Sequence, residues 1–225
     1  MNEADVRQKD WGQLGQGIHI CSIYRTSDEQ ARSIIAYFWG GFNKLEKCLY
    51  FYESQPPRTI RSVFNAIQNK PDDPTHQDQV EMLDYKDVYM KHGEFDPDVM
   101  ILELRDNVQY SLYEGFSGIR AVGEMGWVLD SKTPIARYLD YEMKLNDFYP
   151  AQKVTGICQF DENKFSKDFL EDMIRTHPYI LLYGKLYQNR HFFTNTVGSS
   201  SRGRSALKNY ETMVSTIQSE APLIA

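Results

Sequence analysis

Seven short apolar runs, at residues 17–24, 47–52, 80–83, 119–124, 154–160, 179–183 and 186–189, constrain this chain more than any other feature. Most are apolar nearly throughout, as strands covered on both faces are. The segments between them carry helical spacing instead: Ile34, Ile35 and Phe38, then Ile60, Val63, Phe64 and Ile67, then Met100, Ile101, Leu104 and Val108. Helices are expected from Thr26 or Ser27 to the Gly40-Gly41 stop, at 58–69, 85–91, 97–113 with Asp96 as cap, 134–145, 166–175 and 205–219. This alternation predicts an α/β fold, a mostly parallel central sheet flanked by helices. The last two runs, turning at Gly184-Lys185, predict a terminal β-hairpin. Ligands of such sheets bind beyond the carboxyl ends of the strands. Those ends present Tyr24-Arg25, Tyr52-Glu53, Glu124-Met-Gly-Trp127 and Asp161.

The stretch 113–146 is the richest in chemistry. Ile119 to Val122 is apolar around one arginine, and Gly115, Gly118, Gly123 and Gly126 bracket it. It reads as a buried strand with Arg120 and Glu124 as a polar anchor and Trp127 as an apolar wall. The alternative is a structural Arg–Glu pair beside a core tryptophan, since buried charges are usually paired. Glu142 and Asn146 stand four apart on one helix face, placed to clamp Arg120 from the side.

Charge excludes some classes of function. A formal net charge of −6 gives no broad basic field for a polyanion, and Arg202, Arg204 and Lys208 are too few to reverse that, so no direct nucleic-acid binding is expected. No run of about 18 apolar residues predicts a membrane span. Three isolated cysteines and a polar N-terminus point to reduced thiols in the cytoplasm. Residues 1–193 read as one domain, and 194–225 as a Ser/Gly/Thr-rich flexible linker with a final helix.

Metal chemistry needs convergent His, Cys or carboxylate ligands. His19 and Cys21 share one strand face, and Cys158 and His177 are placed to approach them. The other reading is a hydrogen-bonded core histidine beside small thiols, and it leaves the chain without a metal or any other cofactor. No nucleophile-elbow pattern surrounds Ser22, Ser117 or the thiols, so no catalytic residue is assigned. Fifteen tyrosines, twelve phenylalanines and three tryptophans make an aromatic-rich chain. Such side chains suit an apolar pocket for a weakly polar molecule.

These blocks, in order, resemble the MEDS family, a sensory domain of methanogens, methylotrophs and a dichloromethane-responsive regulator. The matching segments are His19-Ile-Cys-Ser-Ile-Tyr24, Gly41-Phe-Asn-Lys-Leu-Glu-Lys-Cys-Leu-Tyr50, Tyr89-Met-Lys-His-Gly-Glu-Phe-Asp-Pro97 and Gly115 to Trp127. Tyr141-Glu-Met-Lys-Leu-Asn146, Cys158-Gln-Phe-Asp161 and His177-Pro178 complete the series. The resemblance implies a RecA/KaiC-like core and a sensory, regulatory role toward a small organic molecule, hydrocarbon derivatives included. It implies signalling through a regulatory protein partner or a homodimer. An ATPase of that fold carries a Gly-rich loop ending Gly-Lys-Ser/Thr after its first strand. Here Tyr24-Arg25-Thr26-Ser27-Asp28-Glu29 stands there, with two acids and no glycine, so there is no Walker A loop and no enzyme is expected. Arg25 at a helix N-terminus can still receive an anionic group of a ligand. The residues expected to bind the ligand are Tyr24, Arg25, Arg120, Glu124, Trp127, Tyr141, Glu142 and Asp161. A degenerate RecA-like nucleotide binder or enzyme is the other reading.

Overall fold

In the computed structural model, the described residues are 11–53, 58–68, 79–192 and 209–224. They form a seven-stranded sheet in the order β3-β2-β4-β5-β1-β6-β7. The strands are β1 (His19–Tyr24), β2 (Lys47–Tyr52), β3 (Val80–Asp84), β4 (Ile119–Glu124), β5 (Val154–Asp161), β6 (Tyr179–Leu182) and β7 (Lys185–Gln188). All neighbours run parallel except β6 and β7, which form the expected antiparallel hairpin. Its two turn residues, Tyr183 and Gly184, have φ of 49° and 83°. Left-handed backbone at both positions matches the twist of the strands it joins.

Two helices, α1 (Ser27–Phe42) and α2 (Arg58–Gln68), cover one face with the 3-10 turn Trp11–Gln13. The other face carries α3 (Tyr85–Val88), α4 (Pro97–Tyr113), α5 (Trp127–Asp130), α6 (Ile135–Phe148), α7 (Lys167–Thr176) and α8 (Tyr210–Gln218). Strand parity sorts the core. Ile20, Cys48, Tyr50, Val122 and Ile157 face α1, while Cys21, Leu49, Phe51, Ala121 and Cys158 face α4, α6 and α7. Caps form where the residues foretold them. Thr26 Oγ1 accepts from Glu29 N at the start of α1, and Asp96 accepts from Asp98 N and Val99 N at the start of α4.

The structure corrects several boundaries. Helix α1 does not stop at Gly40-Gly41 but passes through both glycines to Phe42. They are there for close approach: a Cβ on Gly40 would lie 2.7 Å from Trp11 O, and one on Gly41 would lie 2.8 Å from Arg120 Cδ. The one-turn helix α5 was not expected, because four residues show no period. Helix α8 packs Tyr210, Met213, Val214 and Ile217 into the core on the α7 side, and Ile224 bridges to Leu186 on β7. The polar stretch 1–16, expected as an extended lead-in, instead turns at Trp11–Gln13 and buries Trp11 against the core, while its residues 1–10, the loop at 70–78 and the linker at 194–206 lie outside the described residues.

Candidate functional site

On the α1 face the centre is Arg120. Its Nε donates to the Glu46 carboxylate, its NH1 to Tyr37 O at 3.0 Å, and its NH2 to Trp11 O and Leu14 O at 3.2 and 3.3 Å. Gln16 Nε2 donates to the other Glu46 oxygen at 3.1 Å. The guanidinium also lies 5.0 Å from the Tyr37 ring centroid. Arg120 and Glu46 are both buried, so this is a closed ion pair with its acceptors supplied by backbone. Arg120 therefore does not meet Glu124, and Glu142 and Asn146 do not clamp it. Four residues of strand separate positions 120 and 124 by about 13 Å, too far for an ion pair along one strand.

At the carboxyl end of β4, the same face holds Glu124. Its carboxylate accepts from Tyr50 OH, from Gln30 Nε2 at 3.1 Å and from Glu53 N at 2.8 Å. Gln30 Nε2 also donates to Gln159 Oε1 at 3.2 Å, while buried Gln159 Nε2 has no hydrogen-bond partner. Tyr24 is half-buried beside them. Burial raises its phenol far above the usual range, with the charges of Glu124, Asp161 and Glu53 adding to the effect. Asp161 accepts from Asn163 N at 2.9 Å. Arg25 leans 3.9 Å over the Tyr183 ring and gives its Nε to Glu162, which also accepts from Lys167, Tyr183 and Tyr210. In the turn after β1, Arg25 N donates to the Glu29 carboxylate at 2.8 Å. An acid of the chain itself thus occupies the backbone donor that opens this turn.

The opposite face is built differently. Trp127 is buried rather than lining the rim, with its ring 4.9 Å from Tyr89, 5.1 Å from Phe95 and 6.0 Å from Tyr138. Its Nε1 has no partner. Tyr141 is buried edge-on to Phe95 at 5.2 Å. A pocket of about 380 Å3 opens above this aromatic column, in the connections that follow β3 and β4. Buried Phe95 and half-buried Met90 line it with exposed Pro134, Glu94, Lys132 and Arg137. Arg137 is tied to Asp96 at 2.6 Å.

Below the column, Tyr138 OH donates to Glu142 Oε1. Glu142 Oε2 lies 3.2 Å from both His19 Nε2 and His177 Nε2, and 3.7 Å from Cys158 Sγ. His19 Nδ1 meets Asn146 Oδ1 at 2.9 Å, and the Asn146 amide is oriented by donating to Thr176 O at 2.6 Å. His177 Nδ1 donates to Met173 O at 2.8 Å. Burial, then the adjacent His177, lowers the pKa of His19 against the pull of Glu142. Burial opposes ionisation of Glu142, but the facing histidines outweigh it and hold the carboxyl below its usual range. Burial pushes the Cys158 thiol far up.

Three of the four expected metal candidates, His19, Cys158 and His177, thus converge. Glu142 takes the place of Cys21, which is buried nearby with its thiol raised by burial. Sequence reasoning missed Glu46, Gln30, Gln159, Phe95 and Tyr138. Of these, Glu46, Phe95 and Gln159 lie inside the segments that resemble the family, where no role was assigned to them. Parity along β4 already set Arg120 apart from the face that α6 covers.

The model of the MEDS family, described as the methanogen/methylotroph, DcmR sensory domain, matches residues 18–178. No curated protein matches the chain. Among solved structures, a KaiC-like protein from Pyrococcus horikoshii is similar at 12% identity and a TM-score of 0.48, covering 73% of this chain and 70% of that one. The flagellar accessory protein FlaH from Methanocaldococcus jannaschii is similar at 9% identity and a TM-score of 0.49, covering 82% of this chain and 80% of that one.

Proposed function

The chain belongs to the MEDS family of sensory domains, and from that premise we propose that it senses a small organic molecule by binding rather than by catalysis. The observation that carries this reading is the pocket of about 380 Å3 whose lining residue Phe95 packs directly on Trp127. That volume lies toward the low end of the roughly 300–1,000 Å3 of small-ligand sites, and concave, mostly apolar sites with a few polar groups are the usual seats of small ligands. Met90, Phe95 and Pro134 favour a hydrocarbon portion, and Lys132 and Arg137 favour a hydrogen-bond acceptor or anionic end. The rim around Glu124 is filled by Gln30, Tyr50 and Gln159, so the ligand sits instead above the aromatic column.

Binding shifts a pre-existing equilibrium by its preference for one packing of Phe95 and Trp127. A regulatory protein partner or a second copy of the chain reads the result. The turn after β1 supports a role without phosphate, because Glu29 occupies the first backbone donor there.

Thermal shift with a panel of short alcohols, aldehydes, carboxylates and halocarbons tests the proposal. At least one class is expected to raise the melting temperature of the wild type. Thr133→Trp, which fills the pocket from a half-buried position, is expected to abolish that rise, and ATP with magnesium to give none. Equal shifts in the wild type and the Thr133→Trp variant, or no shift from any class, would contradict it.

A further inference from the structure

We propose that His19, Glu142, Cys158 and His177 form a closed site for one divalent transition-metal ion of the zinc class. The inference goes beyond the sensory reading and does not depend on the pocket. Its ground is the direction in which each ring is held. His19 donates from Nδ1 to Asn146 Oδ1, and His177 donates from Nδ1 to Met173 O, at 2.9 and 2.8 Å. Each neutral imidazole then carries its bare lone pair on Nε2. Both bare nitrogens point at the same oxygen, Glu142 Oε2, from 3.2 Å. His177 Nε2 is buried without a hydrogen-bond partner. Two lone pairs aimed at a carboxylate oxygen repel it unless a cation, a proton or a metal ion, sits among them, and the Cys158 sulfur beside them completes a four-donor set that suits a metal ion.

The spacing fits such a cation. Zinc bonds of about 2.0–2.3 Å place tetrahedral ligand atoms about 3.3–3.7 Å apart. Cys158 Sγ lies 3.5 Å from His19 Nε2 and 3.7 Å from Glu142 Oε2, and all four donor atoms lie within 4.8 Å of one another. Two imidazoles and a sulfur select a borderline transition metal over magnesium or calcium, which take oxygen ligands. On binding, the Cys158 thiol releases its proton to solvent. Thiolate and carboxylate then balance the two charges of the ion, leaving a neutral site in the core. Asn146 and the Met173 carbonyl are the outer partners that orient metal-bound histidines. Four protein donors with no open position describe a structural ion. It joins β1, β5, α6 and the α7–β6 junction, the elements beneath the aromatic column.

The experiment uses the untagged full chain, refolded with one equivalent of cobalt(II) and read by absorption. The wild type is expected to bind one ion per chain, with tetrahedral d–d bands and a thiolate-to-cobalt charge-transfer band. Cys158→Ser should lose the charge-transfer band. Asn146→Ala, which keeps all four ligands, should weaken binding by about 10- to 100-fold, a change that a merely packing role for Asn146 would not produce. Should the variants fail to fold, the wild type alone decides. Folded wild type without a tetrahedral spectrum overturns the proposal, as does a charge-transfer band unchanged by Cys158→Ser.

Discussion

Both faces of the sheet bury a glutamate, Glu46 on the α1 side and Glu142 pointing from α6 onto the other, and they surround it in opposite ways. Glu46 meets a guanidinium whose remaining donors reach the carbonyls of Trp11, Leu14 and Tyr37. Each partner there has what it needs, and α1 gives up two side chains at Gly40 and Gly41 so that the arginine fits. Glu142 instead meets two imidazole nitrogens and a thiol that converge on one oxygen, under an aromatic column that reaches a pocket. A saturated ion pair fixes a fold and has nothing left to offer a ligand. Convergent donors with unmet valence leave room for something to arrive. The α1 face therefore closes the structure, and the α6 face is the one for which we propose a bound ion in the core and a ligand in the pocket.

The strongest way to break this contrast is to remove the arginine. Arg120→Ala leaves Glu46 buried without its partner and is expected to cost about 3–5 kcal/mol in urea unfolding. If Arg120→Ala proves nearly neutral, the α1 face is not the closing one. Gly41→Ala presses a methyl group against Arg120 Cδ, 2.8 Å away, and should cost about 1–3 kcal/mol by the same assay.

A pH series sharpens the picture at the tail. Burial pulls the Glu162 pKa up, but hydrogen bonds from Arg25, Tyr210, Lys167 and Tyr183 outweigh it and hold it at about 2, against an ordinary 4.5. A depressed carboxylate stabilises the fold above its unfolded pKa, and that contribution is lost as pH falls from about 4.5 toward about 2. Tyr210→Phe removes the bond from α8 and should reduce the loss of unfolding free energy across that window, by about 0.5–1.5 kcal/mol. An unchanged profile would remove α8 from the account. Least of all, Thr133→Trp is expected to move stability by no more than about 0.5 kcal/mol while erasing the ligand response.

Much of the fold was legible because it rests on period. Alternating apolar runs and helical stripes fix strands and helices, and five of the seven expected strands differ from the observed ones by one or two residues at an end. The other two, 47–52 and 119–124, coincide with β2 and β4. Partners were less legible. Glu142 and Asn146 share one helix face as their spacing requires, but the expected clamp on Arg120 does not form, and they meet His19 instead. Which face a strand residue takes is set by parity, and which helix covers that face is set by topology that no local pattern encodes. Gly40-Gly41 looked like a helix stop, because the arginine that needs those glycines lies about 80 positions away. Trp127 was placed at the strand's exit correctly, yet α5 turns its ring inward onto Tyr89 and Phe95.

Native mass spectrometry of the wild type and Thr133→Trp, each purified from its own host, tests the receptive face most directly. The account predicts a small organic mass retained by the wild type and missing from Thr133→Trp. A wild type that carries no such mass, or the same mass on both proteins, would contradict it.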